Sequence, residues 1–109
     1  MLAKKNRLPA NTKIHQTQVI LLQQLTLRIG VNSVNQNRVR IIVSKKIAKS
    51  AVKRNRIRRK LRSFFEVNYS RIVSGHDFLI TLKAEIRETK FKNVFKQLEE
   101  ELKKTKILK

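Results

Sequence analysis

The sequence has no cysteine and no tryptophan, and its 109 residues include only one proline, two glycines and seven acidic residues. The missing cysteines exclude a disulfide framework and a cysteine zinc site. Because glycine and proline are so scarce and no repeat is visible, we expect one domain over residues 1–109. No apolar run is long enough for a membrane span or an export signal. We therefore expect a cytoplasmic protein that does not bind membranes.

What the chain has instead is positive charge, and that charge is unevenly distributed. Lysine and arginine total 27, and the formal net charge is +20. Residues 1–65 contain 17 of these cations and no acid, whereas all seven acids follow in residues 66–109. Such a field repels itself unless a polyanion neutralises it, and phosphate capture releases counterions from a nucleic acid. An RNA- or DNA-binding protein is the leading interpretation, and a cationic membrane-surface protein is a weaker one.

The acids and histidines give no sign of a catalytic centre. A protein nuclease that uses two metal ions needs clustered carboxylates. The cluster at 99–101 is followed by lysines, which is typical of ion pairs along one helix. His15 and His76 are lone histidines, and the one carboxylate next to either of them in the sequence is Asp77. We therefore expect no catalytic residue and no metal site in the protein.

Hydrophobic periodicity predicts six elements after a basic arm at residues 1–9. The proposed order is about α-β-β-α-β-α, which gives an α/β (α+β) two-layer sandwich with helices on a small, mainly antiparallel sheet. A short helix at 11–24, capped by Asn11 or Thr12, is the least secure element, since Val19–Leu22 also suits a strand. The remaining predictions are a hairpin of strands 25–31 and 38–44, a helix at about 50–68, a strand at 77–83 and a helix at 88–106.

The most informative segment is SKKIAKSAVKRNRIRRKLRSFF at 44–65. Ile57, Leu61, Phe64 and Phe65 follow the spacing of one helix face, so the segment is a folded helix with a basic surface. Arginine can grip two phosphate oxygens at once, and asparagine both donates and accepts. A solvated charged face is the competing interpretation. The candidate RNA contacts are Lys45, Lys46, Lys49, Lys53, Arg54, Asn55, Arg56, Arg58, Arg59 and Arg62.

This segment resembles the arginine-rich signature of the bacterial ribonuclease P protein family. Val43–Lys46 stands where the family has a strand ending in Val-Ser-Lys-Lys. Residues 51–62 match its Ala-Val-x-Arg-Asn-Arg helix, and Lys5, Asn6 and Arg7 resemble its opening Lys-x-Asn-Arg-Leu. Asp77–Leu82 and the final helix also fit. The resemblance implies a compact α/β sandwich that contains a left-handed parallel crossover.

The resemblance also implies a function. Members assist an endoribonuclease whose catalyst is RNA, and the complex removes the 5′ leader from precursor tRNA. The implied partners are the catalytic RNA and precursor tRNA, with one monomeric protein per RNA. The protein itself would bind no cofactor, and Mg²⁺ would enter through the RNA. A ribosomal or ribosome-assembly protein is the alternative, because such proteins share this size, charge and architecture.

One departure concerns the cleft that holds the leader in the family. Members place aromatic residues on the first helix, where a base can stack. Here Ile14 and Gln18 stand at those offsets, so stacking there is not available. The candidate leader contacts are Ile14, Arg28, Arg38 and Arg40. An exposed sheet face is the competing interpretation of Arg38 and Arg40.

Overall fold

The computed structural model describes residues 6–10 and 12–109, and its regular elements are four strands and two α-helices. The strands are β1 (Gln16–Leu21), β2 (Leu25–Val31), β3 (Arg38–Ile42) and β4 (His76–Leu82). The helices are α1 (Ala51–Val67) and α2 (Phe91–Lys104), and short 3₁₀ turns precede β4 and α2 at Tyr69–Arg71 and Glu88–Lys90. The predicted α+β class with helices on a mainly antiparallel sheet is confirmed.

The first predicted helix is wrong. Residues 16–21 form β1, an edge strand that pairs antiparallel with β2, so the strand alternative is the correct one. The run Val19–Leu22 has no helical stripe, and its exposed and buried side chains alternate as in a strand. No helix begins at Thr12, and Asn11, the other proposed cap, lies outside the described residues.

The predicted hairpin of residues 25–44 is also wrong, although both of its strands exist. The sheet order is β1-β2-β4-β3, so β4 lies between β2 and β3. β4 pairs antiparallel with β2 and parallel with β3. The true hairpin is β1–β2, and the chain passes from β3 to its parallel neighbour β4 through α1. The parallel crossover is therefore present, and its left-handed sense stays a prediction.

Helix α1 begins and ends close to where the sequence predicts. The Ser50 hydroxyl oxygen accepts from the Lys53 backbone N–H at 3.3 Å and caps the first turn. At the other end, the Asn68 side-chain amide donates to the Phe64 carbonyl at 2.8 Å. Ile57, Leu61 and the two phenylalanines are buried, as their spacing predicts. This burial fixes which side of the helix faces solvent.

The core lies between the inner face of the sheet and the two helices. Val39, Ile41 and Val43 are buried, which confirms the alternation that predicted strand β3. A 3₁₀ turn leads directly into helix α2. The apolar stripe of this helix is buried at Phe91, Val94, Leu98 and Leu102, and Phe95 beside it is half-buried. The Phe65 and Phe78 rings lie 5.2 Å apart between centroids. Phe64, Phe65, Phe78 and Phe91 are therefore core residues, whereas Phe95 at the edge of the core is only half-buried.

Candidate nucleic-acid interface

The exposed part of helix α1 has two flanks with different neighbours. Arg58 and Arg62, one helical turn apart, lie on the flank that faces β3 and the N-terminal arm. There they line a cavity of about 300 Å³ together with Arg7 and Arg40. We call these four residues and the cavity between them the arginine pocket. The sequence had assigned its members to three separate surfaces, namely the arm, the leader cleft and the basic helix.

Residues 6–8 of the arm reach the pocket because the sheet holds them in place. Residues Arg7 and Val39 form a parallel bridge, and the Leu8 N–H donates to the Val39 carbonyl at 2.9 Å. The Asn6 side-chain amide donates to the Asn37 carbonyl and to the Tyr69 hydroxyl, both at 2.9 Å. Asn6 is buried, so this arm residue anchors the chain to its neighbours. Lys5, the other predicted arm residue, lies outside the described residues.

The pocket concentrates positive charge. The pKa of Arg62 is lowered from its ordinary value, first by burial and then by the nearby charges of Arg7 and Arg58. Glu66 opposes this lowering, but it is the weakest of the four influences. Cations held this close would be stabilised by an anion between them. The geometry therefore suits a phosphate group, which several guanidinium groups can bind from different sides.

The opposite flank of α1 is paired with acids. Lys53 forms an ion pair with Glu85, and Lys60 Nζ lies 3.1 Å from Glu88 Oε2. Lys60 Nζ also lies 5.6 Å from the centroid of the Phe91 ring. Lys53 was predicted to contact RNA, but the structure places it against an acid on the chain segment before α2. Nothing in the spacing of the basic run indicated this partner.

The other residues predicted to contact RNA fall into two groups, those with a structural role and those exposed to solvent. Arg54 Nη1 donates to the carbonyls of Ala48 and Lys49 at 2.9 and 2.7 Å, so it closes the loop before α1. Arg58 Nη1 donates to Asn55 Oδ1 at 2.8 Å, which orients both side chains. The remaining candidates are exposed to solvent and free to meet a partner. These are Lys45, Lys46, Lys49, Arg56 and Arg59.

The outer face of the sheet carries the predicted leader contacts. In one row across the strands, Val19 lies next to Arg28, then Leu79, then Arg40. Arg28 is exposed, and Val19 retains 42% of its accessible surface. Two guanidinium groups therefore border an apolar centre on an open sheet face. Arg40 belongs to both surfaces, since it also lines the arginine pocket and donates to the Ala10 carbonyl at 2.9 Å.

Arg38 has a different role from the other cleft candidates. Its Nε and Nη2 atoms donate to the two carboxylate oxygens of Asp77 at 2.8 and 2.9 Å. Asp77 is 2% exposed, and the Asn32 amide donates to the same carboxylate at 2.8 Å. The hydrogen bond to Asp77 raises the pKa of Arg38 above its ordinary value. This bidentate pair ties the end of β3 to β4.

Ile14 covers the same end of the outer face. Gly30 leaves a space there, and a Cβ atom at this position would overlap Ile14 Cγ2 and lie 2.6 Å from the His15 carbonyl oxygen. Residues 12–15 thus lie against the sheet without forming a helix. Gln18, the other departure from the family pattern, has a buried side-chain oxygen with no hydrogen-bond partner. Ile14 is half-buried and offers apolar contact only at its outer side.

Within residues 6–10 and 12–109, no three or more His, Asp or Glu side chains are grouped so that they could hold a metal ion. In the same part of the chain, no helix has both the length and the apolar character needed to cross a membrane.

Known proteins resemble this chain in sequence and in fold. The family model described as Ribonuclease P matches residues 2–106. The ribonuclease P protein component of Synechococcus elongatus is 32% identical over 111 residues, covering 98% of this chain and 90% of that protein. The component from Syntrophus aciditrophicus is 34% identical over 76 residues, or 70% of this chain and 63% of that relative's length. The RNase P protein of Staphylococcus aureus has a TM-score of 0.68, with 26% identity and 84% coverage of each chain.

Proposed function

Because this chain belongs to the ribonuclease P protein family and is a subunit of that tRNA-processing enzyme, we propose that its arginine pocket binds the backbone of the enzyme's catalytic RNA. The catalytic role lies with the RNA, so the protein contributes binding and position rather than reacting groups. The observation that carries the proposal is the convergence of Arg7, Arg40, Arg58 and Arg62 on one cavity. No comparison supports the ribosomal alternative.

The pocket suits RNA because its parts are fixed before the partner arrives. Hydrogen bonds hold residues 6–8 against the sheet, and core residues fix the rotation of α1. A preorganised site loses less conformational entropy on binding than a flexible basic tail would. The exposed Lys45, Lys46, Lys49, Arg56 and Arg59 extend the positive surface around the pocket. Each phosphate that the surface neutralises releases counterions and so strengthens binding at low salt.

The outer sheet face is the proposed site for the 5′ leader of precursor tRNA. A single strand needs cations for its phosphates and a surface for its bases. Arg28 and Arg40 supply the cations, while Leu79 and Val19 supply the apolar surface between and beside them. No aromatic side chain stacks on the bases in this arrangement. Leader binding in this chain would therefore depend more on charge, and so on salt, than in members that carry the aromatics.

Arg40 connects the two proposed surfaces. It lies in the leader row of the sheet and also lines the pocket for the catalytic RNA. A cation in this position lowers the repulsion between two RNA backbones that approach each other. One protein monomer per catalytic RNA is sufficient for this role, and Mg²⁺ would be held by the RNA. A cytoplasmic location fits the processing of tRNA.

The test is multiple-turnover cleavage of a precursor tRNA by the cognate catalytic RNA at low Mg²⁺, with and without this protein. Rescue of correct 5′ cleavage that requires the RNA is the expected result, because the protein replaces part of the charge screening that Mg²⁺ supplies. A matched mixture with poly-lysine controls for nonspecific screening. Equal rescue by poly-lysine, or cleavage by the protein without RNA, would contradict the proposal.

A further inference from the structure

A second groove lies on the other side of α1, away from the arginine pocket. It has a volume of about 740 Å³ and runs between the C-terminal half of α1 and the first half of α2. Val67 lines it and follows Arg62 by five residues, which places it ~140° further around the helix. The groove is therefore separate from the surface assigned to the catalytic RNA. We call it the interhelical groove, and its relevant residues are Val67, Arg71, Lys92, Asn93, Phe95 and Lys96.

The floor of the groove is apolar and partly open to solvent. Val67 retains 79% of its accessible surface, although it is a large aliphatic residue on a helix that already has a buried stripe. Beside it, Phe95 is half-buried, and its ring centroid lies 5.6 Å from that of Phe64. An exposed apolar surface with a polar rim often marks a binding site, whereas exposed charged residues are ordinary in such a protein. It offers a flat contact for an aromatic ring.

The rim of the groove is cationic. Lys92 and Lys96 lie one turn apart on α2 and are exposed, and neither forms an ion pair among the described residues. Glu99 is the only acid in the lining, and Lys103 and Arg71 contact it at 3.2 and 3.4 Å. The hydrogen bond from Lys103 lowers the pKa of Glu99, so this acid stays ionised and paired. The groove keeps an excess of positive charge.

We propose that the interhelical groove binds an unpaired nucleotide of an RNA strand. The base lies against Val67 and Phe95, and the phosphate lies between Lys92 and Lys96. The exposed Asn93 amide, which also lines the groove, can donate to or accept from the base edge. An apolar floor beside paired cations matches the two parts of a nucleotide. The site goes beyond the proposed function and does not depend on it.

An RNA strand fits the groove better than an acidic protein segment does. The groove has a volume of about 740 Å³, within the range of a pocket for one small molecule. Ten residues line it, whereas a protein interface typically uses about 20–30 residues on each side. The chain carries a net charge of +20, so any RNA that binds elsewhere on it is brought close to Lys92 and Lys96. A free mononucleotide has the same chemistry, but it lacks this attachment and would bind more weakly.

The test titrates a short oligouridylate into full-length protein that carries Arg28→Ala, Arg58→Ala and Arg62→Ala, so that the other two surfaces are weakened. Nuclear magnetic resonance then reports on the Val67 methyl groups, the Phe95 ring and the Asn93 amide. All three sets of signals are expected to shift. Adding Lys92→Ala and Lys96→Ala is expected to weaken binding about tenfold, because two phosphate contacts are lost.

The matched control adds Lys83→Ala and Lys104→Ala, which remove the same charge outside the groove lining. It is expected to weaken binding no more than about twofold, since only the general field changes. Equal losses from the two lysine pairs would overturn the proposal, as would unmoved Val67 and Phe95 signals. Equal binding of an abasic oligomer would show that no base enters the groove. Tighter binding of a poly-glutamate peptide or of uridine monophosphate would assign the groove to a different ligand.

Discussion

The two flanks of helix α1 carry similar numbers of cations but face different neighbours. On one flank, Arg58 and Arg62 meet two more arginines around a cavity. On the other flank, Lys53 and Lys60 meet Glu85 and Glu88. A run of positive residues in the sequence is therefore not a uniform surface. Acids from later in the chain neutralise one side of the helix and leave the other side for a partner.

The residue types on the two flanks also differ in a way that suits their neighbours. Arginine keeps its charge when crowded and offers a planar set of donors to phosphate oxygens. Lysine is a strongly hydrated point charge, and an exposed lysine–carboxylate pair contributes little to stability. The arginine flank is thus a binding surface, whereas Lys53 and Lys60 on the other flank position the segment before α2.

The largest expected effect is on stability and comes from Asp77, a buried acid that neutralises Arg38. Asp77→Ala leaves Arg38 without its bidentate partner at 18% side-chain exposure. Loss of one member of a buried pair typically costs about 3–5 kcal/mol. We expect the free energy of unfolding to fall by about that much in urea titrations at constant phosphate concentration.

The double variant Arg38→Ala/Asp77→Ala is the control for that measurement. It removes both charges, so it should be more stable than Asp77→Ala alone. A double variant that is less stable than the single one would mean that Arg38 does not depend on Asp77.

The comparison between the flanks is tested next by RNA binding. Arg58→Ala/Arg62→Ala should weaken binding to the catalytic RNA about 100-fold, because two charge-assisted contacts of about 1.5 kcal/mol each are lost. The slope of log affinity against log salt should fall by about 1.8. Lys53→Ala/Lys60→Ala should weaken binding less than about threefold. Filter binding across a salt series measures both quantities, and equal losses in the two pairs would contradict the difference between the flanks.

Inorganic phosphate should stabilise the folded protein through the same pocket. A ligand present at 100 times its Kd stabilises the folded state by about 2.7 kcal/mol. The melting temperature should therefore rise with phosphate more than with sodium chloride of matched ionic strength. Arg58→Ala/Arg62→Ala should lose this difference and melt higher than the parent without phosphate, since its repulsion is reduced. An unchanged phosphate response in the variant would place the anion elsewhere.

The smallest effect is expected from removing the two acids that pair with Lys53 and Lys60. Glu85→Gln/Glu88→Gln should change the free energy of unfolding by less than about 1 kcal/mol, because both ion pairs are exposed. RNA affinity should rise by a few fold, since Lys53 and Lys60 become available. Calorimetry and the same binding series test this. Glu100→Gln/Glu101→Gln is the matched control, and an equal gain from it would point to net charge alone.

Much of the fold was accessible from local pattern. The start of α1 near residue 50, the stripe from Ile57 to Phe65 and the alternation around Ile41 each depend on neighbours within one element. The hairpin of residues 25–44 failed because β4, which separates its strands, arrives more than 30 residues later. Consecutive strands are adjacent in most proteins, so local alternation favoured the wrong pairing.

The sequence indicates which residues belong to the candidate site, but it does not indicate how they are arranged in space. The basic run indicated an RNA surface, and the arm and strand arginines were each named. Their convergence depends on Leu8 joining the edge of β3, which no periodicity shows. The pairing of Lys53 with Glu85 and the interhelical groove likewise depend on how α2 packs beside α1. A signal for the groove did exist, since Val67 interrupts the polar side of α1.

The position of β4 has a consequence for synthesis on the ribosome. Translation delivers the chain from its N-terminus, so β2 and β3 emerge long before the strand that must enter between them. The nascent segment up to residue 65 carries 17 cations and not one acid. Until Asp77 emerges to meet Arg38, the new chain is a polycation without a finished sheet, next to the RNA of the ribosome that makes it.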